Sequence, residues 1–488
     1  MKILKSLLNL CRVFQVIGNE EITISSITFD TRKIAPNTAG ETLYVAQRGV
    51  QTDGHLYIEQ AIEKGARAIV CEVLPENIIE GITYIKVADA SIALGRIAAA
   101  FYNHPSQKLK LVGITGTNGK TTTVTLLHKL FMSLGYPTGL LSTIINKIND
   151  TEIAATHTTP DAIELNRLLS EMVAAGCSHC FMEVSSHAIV QHRIEGLTFT
   201  GGIFSNITHD HLDFHKTFFN YIQAKKCFFN QLPKNAFALT NIDDKNGSIM
   251  VDNTPAHKYT YSINTGADFK AKVLDNSFEG LQLLLDDTEV FFKICGNFNA
   301  YNLLAIYATA CLLGEKKEDV LVKMSELEEP SGRFQLIKGT ENRCAIVDYA
   351  HTPDALKNVL STIKEITQNS VNVITVVGCG GNRDALKRPI MAETACKYSN
   401  KVILTSDNPR NEDPYTILQE MEKGVPIEFK HNVITIENRE QAIKTACMMM
   451  KNGDVLLVAG KGHETYQEIK NVKHHFDDSE IVTQYINH

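Results

Sequence analysis

No stretch of this chain stays apolar for the ~20 residues that a helix needs to cross a bilayer, which argues against a membrane-spanning helix. A cleavable leader is not expected either. The opening run Met1-Lys-Ile-Leu-Lys-Ser-Leu-Leu-Asn-Leu-Cys-Arg12 is broken by Lys5, Asn9 and Arg12 and has no small-residue cleavage site after it, so it reads as a short amphipathic helix. There is no basic excess. With a net charge of −7 the chain offers no hint of a surface for nucleic acid or for a membrane. Internal repeats and low-complexity segments are missing too. The cysteines make no disulfide framework: eleven, an odd number, are scattered through 488 residues, as expected of reduced thiols in a cytoplasmic protein. The one close pair, Cys177-Ser-His-Cys180, lacks the second ligand pair that zinc needs. It leads into the apolar Phe181-Met182 and reads as core packing.

What the chain has is an ordinary soluble composition, 44% hydrophobic and 21% charged, over a length that calls for two to four domains. Its most informative stretch is Val112-Gly-Ile-Thr-Gly-Thr-Asn-Gly-Lys-Thr-Thr-Thr123. An apolar run leads into a Gly-rich turn, and Val124, Leu127, Leu130, Phe131 and Leu134 follow at helical spacing. Strand, phosphate loop and helix are expected here. Gly116 and Gly119 let the backbone turn its N–H groups onto phosphate oxygens, Lys120 adds charge, and Thr121 offers a hydroxyl to Mg2+. The predicted ligand is a nucleoside triphosphate, although a strict motif would place glycine at Ile114 rather than at Gly113.

Before this loop, short β-like runs (22–27, 42–46, 68–73 and 83–87) alternate with turns, among them Thr28–Arg32 and Arg48–His55. A small α/β unit is expected. His104–Lys108 reads as a linker. From Leu109 to about Glu329 strands (110–115, 177–184, 200–205, 236–241) alternate with helices, as in a mostly parallel sheet. Residues 269–294 suggest an antiparallel excursion and 299–313 a buried helix. After Ser331-Gly-Arg333 the alternation restarts with strands at 344–348, 371–377, 401–405 and 454–459, a third unit of doubly wound type.

Open parallel sheets bind ligands beyond the strand ends, and Phe181-Met-Glu-Val-Ser-Ser-His187 puts Glu183 and Ser185 there. Glu183 is a natural second ligand for Mg2+ held by Thr121. The loop Asn206-Ile-Thr-His-Asp-His-Leu-Asp-Phe-His215 allows zinc, but a hard metal with one imidazole beside phosphate is preferred. Lys225 and Lys226 read, on their face, as two solvated lysines on a helix.

Taken together, Gly116–Thr121, Glu183–His187, Asp210–His215, Gly296-Asn-Phe-Asn-Ala-Tyr-Asn302, Gly332-Arg333 and Asp348-Tyr-Ala-His-Thr-Pro353 resemble the Mur ligase family, in the family's own order. Thr28–Arg32, Asp53-Gly-His55, Thr158-Thr159, Gln191-His-Arg193, Gly378–Arg383, Asp407-Asn-Pro-Arg410 and Gly460-Lys-Gly-His-Glu464 are similar to its branch that adds the third stem-peptide residue. The resemblance implies an α/β chain of three domains, with a central P-loop-type mostly parallel sheet and a C-terminal doubly wound Rossmann-like domain. Their expected spans are 1–105 for the UDP-substrate, 106–330 for ATP and 331–488 for the amino acid.

It further implies ATP at Gly116, Thr117, Asn118, Gly119, Lys120, Thr121, Thr122, Asn302, Arg333 and Asp348. Two Mg2+ ions are expected at Thr121, Glu183, His211 and Lys225, the last as a CO2-derived carbamate. The catalytic group would be Lys120, Glu183, His211 and Lys225. UDP-N-acetylmuramoyl-L-alanyl-D-glutamate would meet Thr31, Thr158, Thr159, Ser185, Gln191 and Arg193. Thr31 stands where serine is commoner, and Asn382 where aspartate is usual. Meso-diaminopimelate would meet Arg383, Asp407, Asn408, Pro409, Arg410, Gly460 and Glu464, Arg410 being what lysine-adding relatives lack. A monomer binding neither nucleic acid nor membrane is expected. The rivals are an L-lysine-adding ligase, another amide ligase of the folylpolyglutamate synthetase type, and a P-loop switch without ligase activity.

Overall fold

Three sheets, met one after another along the chain, organise the computed structural model, which describes residues 1–34, 41–49 and 52–487. The first has the order Lys2–Ile3, Thr23–Thr28, Glu41–Val45, Ala66–Cys71, Thr83–Val87, Val13–Ile17. Its inner pairings are parallel and its two edges antiparallel. The start of the chain is not the amphipathic helix expected. Lys2–Ile3 pairs with Thr23 and Ile24, and only one helical turn, Leu4–Leu7, follows. Burying Leu4 and Leu7 needs no more than that turn. Part of the loop 48–55, residues 50 and 51, lies outside the described residues.

The second sheet has eleven strands, and the P-loop strand Lys110–Thr115 runs parallel between His179–Glu183 and Gly201–Phe204. Leu111, Val112 and Ile114 are buried, as a strand covered on both faces requires. The helix Lys120–Ser133 packs back on the sheet through Val124, Leu127, Leu130 and Phe131. The antiparallel excursion is present as Phe269–Ser277, Gly280–Leu285 and Thr288–Phe292. A second one, Ile145–Ile148 with Thr151–Ala154, was not anticipated. The helix Asn297–Leu312 is buried nearly all round, so no polar face marks it in the sequence.

The third sheet is ordered Gln335–Lys338, Cys344–Asp348, Val455–Ala459, Val373–Val377, Lys401–Leu404, Val433–Thr435, parallel except at its first edge. It is doubly wound. Leu356, Leu360 and Met391 pack on one face with Ile346 and Leu457, whereas Ile443, Ala446 and Val482 pack on the other with Val347 and Leu456. Register aligns Asp348 with Ala459, Ala459 with Val377, and Val377 with Leu404. Four loops therefore leave the sheet at one level. Among the described residues no helix is long and apolar enough to cross a membrane.

Candidate active site

The strand-end loops of the second and third sheets face each other across a cleft of about 1440 Å³. On one wall the P-loop turns through Gly116 and Gly119, the latter at φ +86°. A Cβ at Gly119 would lie 2.4 Å from Asn302 Oδ1, so the close approach of the loop to the helix Asn297–Leu312 admits only glycine. Lys120 Nζ folds back to donate to Gly116 O (3.1 Å) and Thr117 O (2.9 Å). Burial pulls its pKa down, with Glu183 and Asp210 opposing. Thr121 Oγ1 donates to Glu183 Oε1 at 2.8 Å. The second acceptor role of Glu183 was not foreseen: Thr143 reaches it through its backbone N–H (2.8 Å) and its hydroxyl (3.2 Å).

Lys225 corrects the surface reading of the helix Phe218–Asn230. Both lysines are buried, Lys225 at 1% exposure: its face of the helix lies under the P-loop, whereas Lys226 turns toward Asp252 (3.9 Å). Lys225 Nζ donates to Gly116 O at 2.8 Å and lies 4.7 Å from the Tyr221 ring centre. Burial, reinforced by Lys120, holds its pKa well below the usual lysine range, with Asp210 opposing. The amine is a candidate for the neutral state. His211 is likewise pushed down by burial, against the pull of Asp210, whose Oδ2 is 3.3 Å from Nε2. Among the described residues no three His, Cys, Asp or Glu side chains already form a cage.

Beyond Glu183 the substrate candidates form one chain of hydrogen bonds. Thr143 meets Thr158 at 3.1 Å, and Thr159 Oγ1 donates to Glu183 O (2.8 Å) and to Ser185 Oγ (3.4 Å). Arg193 reaches Thr159 O (2.8 Å) and, through two nitrogens, Gln191 Oε1. Thr31 is not part of this group. Its hydroxyl donates to Gln60 in the first unit, away from the cleft.

The third sheet supplies the opposite wall and reaches across. Arg333 Nη2 donates to Thr121 Oγ1 (3.1 Å), with its guanidinium over the Tyr349 ring. Asp348, buried, accepts from Phe334 N and Ala350 N, both at 2.7 Å. Burial raises its pKa and Arg333 opposes. Asp354 was not anticipated. It accepts from Asn118 Nδ2 (3.1 Å) on the P-loop and from Thr208 Oγ1 (3.0 Å).

The remaining candidates come together at the ends of aligned strands. Asp407, Asn408 and Arg410 follow Lys401–Leu404, Gly460 and Glu464 follow Val455–Ala459, and Arg383 follows Val373–Val377, all but Pro409 lining the cleft. Arg383 is exposed, whereas Arg410 Nη1 donates to Gly381 O at 2.8 Å. Lys461, fully buried, donates to Asn408 Oδ1 and Glu464 Oε2, both 3.1 Å. Burial opposes ionisation of Asp407, but Lys461 and Arg439 outweigh it and keep this carboxyl below its usual range. Glu464 is shifted the other way, by burial and by Asp407.

Residues 23–102, 114–310 and 332–462 match, in turn, the Mur ligase family catalytic domain, the Mur ligase middle domain and the Mur ligase, glutamate ligase domain. A relative from Cytophaga hutchinsonii named "UDP-N-acetylmuramoyl-L-alanyl-D-glutamate--2,6-diaminopimelate ligase" is 57% identical over 99% of this chain and 98% of its own. One of the same name from Phocaeicola vulgatus is 55% identical over 96% of each. A solved structure titled with that name superposes with a TM-score of 0.67 at 31% identity, covering 95% of this chain and 94% of the other.

Proposed function

From the premise that the chain belongs to the Mur ligase family, we propose that it adds meso-2,6-diaminopimelate to the D-glutamate γ-carboxylate of UDP-N-acetylmuramoyl-L-alanyl-D-glutamate, with ATP cleaved to ADP and phosphate. The product is a peptidoglycan precursor. The observation that carries this reading is the 57% identity to a ligase of that name along nearly the whole chain. Residues 1–105 take the uridine end of the substrate, 106–330 take ATP and 331–488 take the amino acid. The reaction is placed in the cytoplasm, on a monomer.

A carboxylate is a poor electrophile, so its oxygen first attacks the γ-phosphorus of ATP, ADP leaves, and an acyl phosphate remains. The amine of the incoming amino acid then attacks the acyl carbon and phosphate leaves. Lys120 exchanges its two loop carbonyls for phosphate oxygens, and the N–H groups at the start of Lys120–Ser133 face the same charge. Removing one such donor from a preorganised site typically costs about 10²–10³-fold in rate. Arg193 with Thr158, Thr159 and Ser185 orients the dipeptide end toward Glu183.

The donor set at the P-loop fits a hard cation, since a hydroxyl and a carboxylate oxygen stand 2.8 Å apart at Thr121 and Glu183. His211, its pKa held below the usual imidazole range, fits a second with Lys225 only after that amine has added to CO2 and lost a proton, because a neutral amine is a poor ligand for a hard cation. Two Mg2+ ions bound there would neutralise charge on the transferring phosphoryl group.

The choice of amino acid falls to Arg410. A planar guanidinium binds a carboxylate through two parallel hydrogen bonds, and L-lysine has no distal carboxylate to offer. Arg383 holds the other carboxylate, and Glu464 with the Gly460 carbonyl receives the distal ammonium. A site built this way can reject the analogue by about 10⁴-fold. Mass spectrometry of the product from ATP, the UDP-muramoyl dipeptide and a mixture of diamino acids tests the whole reading. The diaminopimelate adduct is expected, and a lysine adduct in comparable amount would overturn it.

A further inference from the structure

The hairpin Tyr466–Ile469 with Val472–His475 belongs to neither neighbouring sheet, and a two-stranded hairpin by itself is marginal in water. What holds it is the loop carrying Arg410. Arg410 N donates to Glu468 O (3.0 Å), and Lys470 N donates to Arg410 O (2.7 Å). Gln467 Nε2 donates to Asp407 O (2.7 Å), and Glu468 N to Asn408 Oδ1 (2.9 Å). Arg410 itself has φ +52°, a conformation a non-glycine residue adopts only where its surroundings impose it. Its side chain is also met by the hairpin: Nε lies 3.5 Å from Glu468 Oε2, in a pair whose members are 22% and 23% exposed.

We propose that Glu468 is a positioning residue for the amino-acid specificity of this enzyme, fixing Arg410 so that its remaining edge reads the distal carboxylate. The inference rests on the role given to Arg410 above. Glu468 takes the Nε side of the guanidinium and Gly381 O takes one hydrogen of Nη1, which leaves Nη2 and the other Nη1 hydrogen for a ligand in the cleft. A long side chain held at two points has little rotamer freedom left to lose on binding, so part of the cost of reading the carboxylate is met in advance.

Steady-state kinetics of Glu468→Ala and Glu468→Gln, in the unmutated and Arg410→Ala backgrounds, test this. Glu468→Ala is expected to raise KM for meso-diaminopimelate about tenfold, with KM for ATP within about twofold and kcat changing less than KM. Glu468→Gln, which keeps an acceptor oxygen, should recover most of the loss. In the Arg410→Ala background Glu468→Ala should add nothing, because its effect passes through the missing guanidinium. An equal loss in both backgrounds would make Glu468 a support of the hairpin only, and an unchanged KM in Glu468→Ala would equally overturn the proposal. If Arg410→Ala alone leaves the KM for diaminopimelate unaltered, the reading of Arg410 fails first, and the inference with it.

Discussion

Lys225 shows how far one side chain's meaning depends on what lies above it. Buried under Gly116 O beside Lys120, its amine is held well below the usual lysine range, and a neutral amine is the form that adds to CO2. Lys225→Ala is therefore expected to lose about 10²-fold or more in kcat. A short carboxylic acid should restore part of it by filling the vacated ligand position, whereas bicarbonate alone should not. Full activity in the alanine variant would remove the carbamate from the mechanism. Glu329, just before the junction of the second and third units, makes a different prediction. Its pKa is raised from 4.5 to about 8, chiefly by burial, while Cys295 N–H opposes. Between those values the folded chain keeps a proton that the unfolded chain releases. The associated stability is thus complete below pH 4.5 and is lost as pH rises through 8. Glu329→Gln should melt with the unmutated protein at pH 5 and about 3 °C or more above it at pH 8.5. Parallel melting curves at both pH values would show that this carboxyl ionises without cost.

At the scale of elements, the helices of the third sheet depend on a charge pair. Arg439 and Asp478, both fully buried, meet through two hydrogen bonds (2.8 and 2.7 Å), and Arg439 Nη2 also reaches Ala459 O at the strand end before Gly460. Arg439→Met leaves Asp478 buried and alone, which should cost about 3–5 kcal/mol in chemical denaturation. A cost under about 1 kcal/mol would mean that Asp478 takes up a proton or finds other donors. Which elements can be read from sequence follows from similar particulars. Lys110–Thr115 and Cys344–Asp348 were legible to the residue, because strands buried on both faces are continuous apolar runs ended by a polar or glycine turn. Lys2–Ile3 was not, since two residues carry no period and Leu4 and Leu7 suit a helix. Nor was the Lys225 face, because helical spacing locates a face without saying what covers it. Glu183 was legible from its place at a strand end and Arg333 and Arg410 only through their motifs, while Asp354 and Glu468 act across junctions that no local pattern encodes.

The whole molecule is joined across the cleft by few direct contacts on the P-loop side, chiefly Arg333 to Thr121 and Asp354 to Asn118 and Thr208. Hydrogen bonds of this kind contribute about 1 kcal/mol each, too little to hold two units shut in water without help. Nucleotide and UDP-dipeptide would add contacts to both walls, and closure would keep water from the acyl phosphate. Solution scattering should show the radius of gyration fall on adding both ligands, and Asp354→Ala should enlarge the ligand-free value. A radius that does not move at saturation would count against closure.

One detail of the third sheet bears on how the chain is made. Val455–Ala459 lies between Cys344–Asp348 and Val373–Val377, yet it is the last of the six strands to leave the ribosome. Until then the two flanking strands have no shared neighbour, and each presents an open row of backbone groups of the kind that recruits foreign strands. The first two units can fold as they emerge, but this one has to wait for its middle. Arrested nascent chains should accordingly bind chaperone most strongly when they end between residues 405 and 455, and a pause in translation there would carry the greatest risk of aggregation.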